Sequence, residues 1–455
     1  MRIAVIGTGY VGLVSGVCFS EYGFRVTCID NDGDKIAKLQ QEIMPIFEPG
    51  LEALVAKNRK AGRLSFSTDL AQAVREADAV LIAVGTPADA ITGLPDLAYL
   101  HAAVEEVAHA IDHYVLVVIK STVPVGTNRH VAQMIANIAP DADFDVASNP
   151  EFLREGVAIE DFMSPDRIVA GVDSRRAKDG MTRLYEPVAL NGAQMFFTTY
   201  ESAEVIKYAA NSLLAARIAF IDEIADFCEK TGANIRDVSK GVGMDQRIGN
   251  HFLKPGPGYG GSCFPKDTLA LKSMARDAGA PISIVEAAIS SNDTRKIRMA
   301  EKIIAAARGD VRGKTIAILG LTFKPGTDDM REAASLVIVP KLIETGASIR
   351  AYDPQGMKEA AKLIPGNVTW CKDAYEAMQG ADALVILTEW NEFRSLDLQK
   401  VRGLLKTPLV VDLRNIYKRQ DMMRHGFHYV SVGRQDVIPG QPWIADLNID
   451  DEKAA

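Results

Sequence analysis

Apolar positions along this chain keep two rhythms. Short unbroken apolar runs occur at Ile3–Ile6, Ala79–Val84 and Val115–Ile119, with mixed runs at Phe24–Asp30 and Asp145–Ser148. Runs that short, ending in glycine or polar residues, predict buried strands. Between them apolar residues recur every three or four positions, as at Leu13, Val17, Cys18 and Tyr22 before Gly23, which predicts helices. Strand and helix in alternation imply a parallel sheet covered on both faces. The same alternation returns late in the chain, with strands at Lys314–Gly320, before Asp353, at Ala383–Leu387 and at Leu409–Asp412, and a helix at Ser335–Thr345. The middle is different. From Ser202 to Lys230 helical spacing is continuous (Val205, Ile206, Ala209, Leu213, Leu214, Ile218, Ile221, Ile224, Cys228), and Gly232 supplies a stop; a second helical region, Ile282 to Arg308, ends at Gly309.

The first strand leads directly into Gly7-Thr8-Gly9-Tyr10-Val11-Gly12, then a helix, then a strand closing on Asp30. Glycines for the turn, a helix N-terminus for a pyrophosphate and an acid for ribose hydroxyls, in that order, form a dinucleotide fingerprint. Asp30 would repel a 2′-phosphate, so NAD is expected over NADP. The late alternation opens instead on Gly320-Leu321-Thr322-Phe323-Lys324-Pro325-Gly326, so no second dinucleotide is expected there. The expected fold is therefore α/β: a Rossmann-like doubly wound domain over residues 1–200, a long-helix middle domain over 201–310, and a Rossmann-like C-terminal domain over 311–455 whose tail after Gly433 is loosely ordered.

Composition narrows the partners. A net charge of −8, with no lysine- or arginine-rich run, argues against nucleic acid. The apolar start at Met1–Ile6 is cut short by Gly7, and no stretch approaches the roughly 20 apolar residues of a membrane span. A cytoplasmic location is expected. Five cysteines, Cys18, Cys28, Cys228, Cys263 and Cys371, without C-x-x-C spacing, suggest neither a disulfide framework nor a metal site.

Candidate chemistry collects at strand ends and in one loop. Thr86 and Thr122 follow two strands of the first sheet, where ligands of doubly wound folds sit, although turn threonines are common there. Glu151 and Glu155 lie four apart in Asn149-Pro150-Glu151-Phe152-Leu153-Arg154-Glu155-Gly156. One helical turn would place both carboxylates on one face; a solvated acidic turn is the plainer alternative. Lys207 and Asn211 share a face of the long helix, either for chemistry or with Lys207 reaching out to water. The loop Gly256–Asp267 contains four glycines and two prolines, and the helical run beginning at Thr268 follows it. Cys263, just before that helix, is either a thiol favoured as thiolate or a small buried hydrophobe. Lys324, Arg331 and Arg414 near late strand ends could hold a phosphorylated ligand or simply face water.

Taken together, G-T-G-Y-V-G at 7–12, S-T-V-P-V-G-T at 121–127, N-P-E-F-L-R-E-G at 149–156, K-x-x-x-N at 207–211, G-G-S-C-F-P-K-D at 260–267 and T-F-K-P-G-T-D-D-M-R at 322–331 make the chain resemble the UDP-glucose/GDP-mannose dehydrogenase family from Met1 to about Gly433. The resemblance implies oxidation of a sugar 6-hydroxymethyl twice with two NAD⁺ and no metal, UDP-glucose becoming UDP-glucuronate. GDP-mannose and UDP-N-acetylmannosamine remain alternative substrates. It further implies that Cys263 captures the aldehyde as a thiohemiacetal and then carries a thioester. Lys207 and Asn211 would stabilise the oxygen, Asp267 and Thr122 would position water or relay a proton, and Glu151 would assist hydrolysis. The family's cofactor contacts fall on Val11, Asp30, Lys35, Thr86, Thr122, Glu155, Lys266 and Arg331, beside Gly7, Gly9, Tyr10 and Gly12 of the fingerprint. Its sugar-nucleotide contacts fall on Glu151, Phe152, Leu153, Arg154, Glu155, Lys207, Asn211, Phe252, Leu253, Lys254, Pro255, Gly256, Gly260, Lys324 and Arg414, with Arg247 offered across a homodimer interface. A two-electron hydroxyacid dehydrogenase, which shares K-x-x-x-N, and a non-enzymatic NAD sensor are the rival readings.

Overall fold

The computed structural model describes residues 1–89 and 93–441. It divides into two compact units, one formed by Met1–Asn211 with Lys266–Pro281, the other by Ser212–Pro265 with Ile282–Ala455.

The first unit is built on eight strands: β1 (Arg2–Ile6), β2 (Arg25–Ile29), β3 (Leu64–Ser67), β4 (Ala79–Ile82), β5 (Val115–Ile119), β6 (Phe144–Ser148), β7 (Arg167–Val172) and β8 (Gln194–Thr198). They lie side by side in the order β3-β2-β1-β4-β5-β6-β7-β8. All neighbouring pairs are parallel except β6 with β7, which run antiparallel, so the sheet reverses direction once. Alternate residues of β4 serve separate cores: Ala79 and Leu81 pack with Val5, Leu13 and Val118, while Val80 and Ile82 pack with Ala4, Val104 and Val117. A strand buried on both faces must be apolar throughout, which is why β4 and β5 read as unbroken runs. Each fully buried valine, leucine or isoleucine there is worth about 1.5–3 kcal/mol.

The second unit carries β9 (Thr315–Leu319), β10 (Ser348–Tyr352), β11 (Val368–Trp370), β12 (Ala383–Ile386), β13 (Leu409–Asp412) and β14 (His428–Ser431). These form a parallel six-stranded sheet ordered β11-β10-β9-β12-β13-β14. Its first turn departs from the fingerprint as expected, yet Gly320 still has φ +86°, and a Cβ there would meet Thr388 at 2.5 Å. Asp353, after β10, stands where Asp30 stands after β2. Its Oδ2 accepts from the amides of Leu321 (2.7 Å) and Thr322 (3.1 Å), and its Oδ1 from those of Gln355 (2.9 Å) and Gly356 (2.7 Å). The Thr322 hydroxyl and the Trp390 indole N–H donate to the same Oδ2.

Two helices differ from the sequence expectation. The long helix spans Tyr200–Thr231, 32 residues or about 48 Å; its chain passes from the first unit into the second after Asn211. The helix after the cysteine loop runs Phe264–Asp277 and so begins four residues before the expected Thr268. Pro265 does not prevent this, because the first turn of a helix needs no N–H from it. Asp267 adds a favourable negative charge to that turn. The tail is not loose throughout: Arg434 is 2% exposed, and Val437 pairs with Tyr429. Its remaining expectation, from residue 442 on, lies outside the described residues.

Candidate active site

The fingerprint folds as a cradle. Gly7 has φ +95°, and a Cβ on it would lie 2.7 Å from the Ala83 carbonyl oxygen; one on Gly12 would lie 1.9 Å from the Gly7 oxygen. Gly9 is different, because no atom of the described residues lies within 4 Å of its Cβ position. It precedes the helix Tyr10–Glu21, whose N-terminus has no side-chain cap, leaving amides for a pyrophosphate. Val11 is half-buried in that first turn. Asp30 accepts from the amide and hydroxyl of Thr8 (2.9 and 2.7 Å), from the Asp32 amide (3.1 Å) and from Lys35 Nζ (2.9 Å). Burial pushes this carboxyl up, but those donors outweigh it and hold it below its ordinary pKa. Its Oδ1 receives only the Asp32 amide among these bonds, which leaves acceptor capacity for a ribose hydroxyl. The residues thus fit NAD.

Tyr10 does more than bridge two glycines. Its hydroxyl donates to Glu48, a carboxylate 6% exposed that also accepts the amides of Gly156 and Ala158, each at 2.7 Å. Glu48 therefore ties the fingerprint to the end of the 149–156 segment. Nothing in its sequence context singled it out. Burial and the Glu48 bond both raise the Tyr10 hydroxyl pKa, so it stays a donor.

The helical turn that would place Glu151 and Glu155 on one face is absent. Residues 151–154 are irregular and 155–156 form a turn, in which Gly156 adopts φ +83°. The two carboxylates are not stacked on a helix face. Glu151 is 7% exposed and Lys207 3%, and the ammonium donates to Glu151 Oε1 at 3.1 Å. Lys207 does not reach out to water. The Leu153 amide donates to Glu151 Oε2 at 2.6 Å. Burial drives the Glu151 pKa up, but Lys207, the Leu153 amide and Lys120 bring it below the ordinary value, so it is ionised near neutrality. The Phe152 ring has two cations over it, its centroid 4.2 Å from the Arg167 guanidinium carbon and 5.4 Å from Lys207 Nζ. Arg154, largely exposed, is held by Asp161, while Leu153 and Glu155 are half-buried.

One turn on, Asn211 donates to Asp267 Oδ2 at 2.6 Å, and Lys266 Nζ lies 3.2 Å from Asp267 Oδ1. Asp267 is 1% exposed. The helix spacing of Lys207 and Asn211 thus presents two carboxylate-bonded polar groups on one face. At the carboxyl ends of two central strands, Thr86 Oγ1 donates to the Thr122 carbonyl at 3.0 Å, joining the turns that follow β4 and β5.

In the second unit the glycine loop is fixed by buried polar groups. The Gly256 amide donates to Asp222 Oδ1 (2.7 Å), and Arg295 Nε donates to the Gly256 carbonyl (2.9 Å). Asn292 Oδ1 accepts the Tyr259 amide at 2.7 Å, and the Gly261 amide donates to the Arg331 carbonyl at 2.8 Å. Side chains are excluded at Gly260, where a Cβ would lie 2.3 Å from the Glu332 oxygen. Phe252 adopts φ +60°, Leu253 is buried, Pro255 is half-buried and Lys254 is exposed. Cys263 is partly exposed, whereas Cys18, Cys28, Cys228 and Cys371 are buried. Burial raises the thiol pKa of Cys18 and of Cys28 to about 12, which makes them inert. Arg414 packs against Gly256, 2.9 Å from its Cβ position, and donates to the carbonyls of Leu387 and Phe323. Lys324 Nζ sits over the Phe323 ring. Arg331 and Arg247 are exposed and pair with their near neighbours Asp329 and Asp245.

Asp222 gives this loop a pH dependence. Burial raises its pKa to about 6 against opposing pulls from Arg295, the Gly256 amide and Arg414. Between about pH 4 and 6 the folded chain holds a proton that the unfolded chain has lost, so stability falls as pH rises through that window, by about 3 kcal/mol in all. Asp222→Asn keeps an acceptor for Gly256 and is expected to flatten this slope. Urea unfolding at pH 4.5 and 7 measures it; an unchanged slope rejects the assignment.

Two doubly wound sheets and an NAD cradle on the first define the class: an NAD-dependent oxidoreductase. Within that class the chain belongs to the UDP-glucose/GDP-mannose dehydrogenase family. The family's NAD binding domain matches residues 1–189, its central domain 201–294 and its UDP binding domain 317–419. A UDP-glucose 6-dehydrogenase of Rhizobium meliloti is 55% identical over 438 residues, 96% of this chain and 100% of its own length. One from Bacillus subtilis is 46% identical over 442 residues, 97% of this chain and 95% of its own. A UDP-glucose dehydrogenase structure from Pyrobaculum islandicum superposes with TM-score 0.87 at 37% identity, covering 95% of this chain and 98% of that one.

Proposed function

We propose that the protein is a UDP-glucose 6-dehydrogenase that makes UDP-glucuronate in one four-electron sequence. The observation that carries the four-electron reading is Cys263, partly exposed at the start of a helix while the other four cysteines are buried. A helix N-terminus favours thiolate. NAD, when bound in the cradle of Gly7, Gly9, Gly12 and Asp30, accepts the hydride at each oxidation.

Loss of one hydride and one proton converts the 6-alcohol to an aldehyde. Cys263 Sγ then adds to the aldehyde carbon, and the oxygen takes a proton to give a thiohemiacetal. Loss of a second hydride and proton leaves a thioester. Water attacks it, the C–S bond breaks, and carboxylate and free thiol result. In sum R–CH₂OH and water give R–COO⁻, two hydrides and three protons. Lys207 and Asn211 share the charge on the reacting oxygen. Asp267 and Thr122 hold water or pass the proton, and Glu151, ionised and buried, assists hydrolysis. Lys35, Thr86, Glu155, Lys266 and Arg331 serve the cofactor. The UDP-sugar is taken by the 151–155 segment, residues 252–256, Gly260, Lys324 and Arg414.

A homodimer is part of this reading, with Arg247 contributed across it. Leu213, Phe220 and Phe227, seven residues apart on the long helix, are 64%, 55% and 64% exposed, a repeat that a second helix can cover. A three-domain organisation, 1–200, 201–310 and 311–455, and a cytoplasmic location belong to it as well. No helix among the described residues is long and apolar enough to cross a membrane.

The test is stoichiometry. Two NADH per uronate are expected; one identifies a two-electron dehydrogenase. A panel of UDP-glucose, GDP-mannose and UDP-N-acetylmannosamine, read by NADH absorbance, fixes the sugar, and a higher kcat/KM with either of the last two overturns the substrate assignment.

A further inference from the structure

We propose that Lys120 is a positioning residue whose ammonium, held in the protein interior between Asn149 and Tyr185, gives the Glu151–Lys207 group its net positive charge. This rests on reading Glu151 and Lys207 as parts of the reacting site.

Lys120 follows β5 and is only 4% exposed. Its Nζ donates to Asn149 Oδ1 and to the Tyr185 hydroxyl, each at 3.1 Å. Tyr185 in turn donates to Asn149 Oδ1 at 2.5 Å, and Asn149 Nδ2 donates to the Val169 carbonyl at 2.8 Å. The ring of Tyr185 lies 5.8 Å from the ammonium. Both acceptors are neutral, because burial raises the Tyr185 hydroxyl pKa well above neutrality. Among the described residues a lysine so placed has no ion-pair partner in direct contact, an expensive arrangement for a merely structural role.

The charged groups that act on Lys120 are Glu151, from the irregular segment after β6, and Lys207, from the long helix. The other elements around it, β4 through Ile82, the residue after β6, Asn149, and the helix Arg175–Leu190 through Tyr185, present neutral groups to it. Glu151 and Lys207 alone sum to zero. A neutral pair gives little help to an oxygen that becomes anionic, whereas two lysines around one carboxylate leave a unit of positive charge for it. Burial and Lys207 lower the Lys120 pKa, against the pull of Glu151, to about 8. The positive charge is therefore present below that pH and lost above it.

The experiment is kcat and KM from pH 6 to 9.5 with saturating NAD and UDP-glucose. The wild-type enzyme is expected to lose kcat as pH rises through about 8. Lys120→Met is expected to lower kcat at pH 7 about tenfold or more, the scale of one pKa unit of electrostatic interaction, with KM little changed and the alkaline limb gone. Tyr185→Phe removes one acceptor of the ammonium, destabilises its charged form and is expected to move the limb to lower pH. A Lys120→Met enzyme that keeps the wild-type limb overturns the proposal. So does a loss of kcat that tracks a fall in melting temperature without any change in the profile. If Lys120→Met does not fold, Tyr185→Phe decides: an unmoved limb overturns the proposal. Glu151→Gln and Lys207→Met test the underlying reading separately, since full activity in both removes the site while leaving the Lys120 titration to be seen or not in the same profile.

Discussion

Cys263→Ser is expected to abolish uronate formation, by about a thousandfold or more, while UDP-glucose and NAD still bind. The scale is that of losing a nucleophile from a group of residues that act together. A serine hydroxyl at neutral pH is a far weaker nucleophile than a thiol and has no comparable anionic fraction, so the captured aldehyde cannot form at a useful rate. Isothermal titration with UDP-glucose establishes that binding survives, and product analysis establishes what is made. Should the variant yield uronate at the wild-type rate, the covalent step is wrong. The change is small in volume and the site is partly exposed, so folding should be untouched, and a lost melting transition is not expected.

Lys207→Met should have the other large effect, on both chemistry and stability. Removing one charge of a pair with 3% and 7% exposure strands the partner carboxylate, which costs about 3–5 kcal/mol. Loss of an electrostatic donor at a reacting oxygen lowers kcat by about a hundred- to a thousandfold. The pH dependence separates these effects. In the wild type the depressed Glu151 pKa adds stability that is complete above the unfolded value near 4.3 and is lost as pH falls through the lower folded value. In the variant burial dominates, the folded pKa rises above the unfolded one, and stability is lost as pH rises instead. Denaturant unfolding of both forms at pH 5 and pH 8 reads the difference: the variant is expected to lose more stability over this range than the wild type, whose own loss there comes from Asp222; an equal loss would show that Glu151 never depended on Lys207.

Much of the fold could be read because both sheets are covered on two faces. Such strands must be continuously apolar, and β1, β4, β5, β9, β12 and β13 all announce themselves in that way. The edge strands β3, β8 and β11 have polar positions open to water, and the sequence did not mark them. The antiparallel β7 was also missed, although its residues 168–171 are apolar and buried. At the site, the cradle and the Lys207–Asn211 face were legible because turn chemistry and helical period are local. Contacts between distant segments were not. Nothing near Glu48 in the sequence connects it to Gly156, and nothing near Lys120 points to Tyr185. The start of the cysteine helix was missed because glycine and proline counts mask a first turn in which proline is permitted.

The acid that ends β10 has a lesson for redesign. Asp30 takes four protein donors and keeps acceptor capacity on Oδ1, but Asp353 has six protein donors on its two oxygens. Cofactor preference can accordingly be retuned by rewriting the first of these corners. At the second, the same substitution would unfasten a loop rather than change a guest.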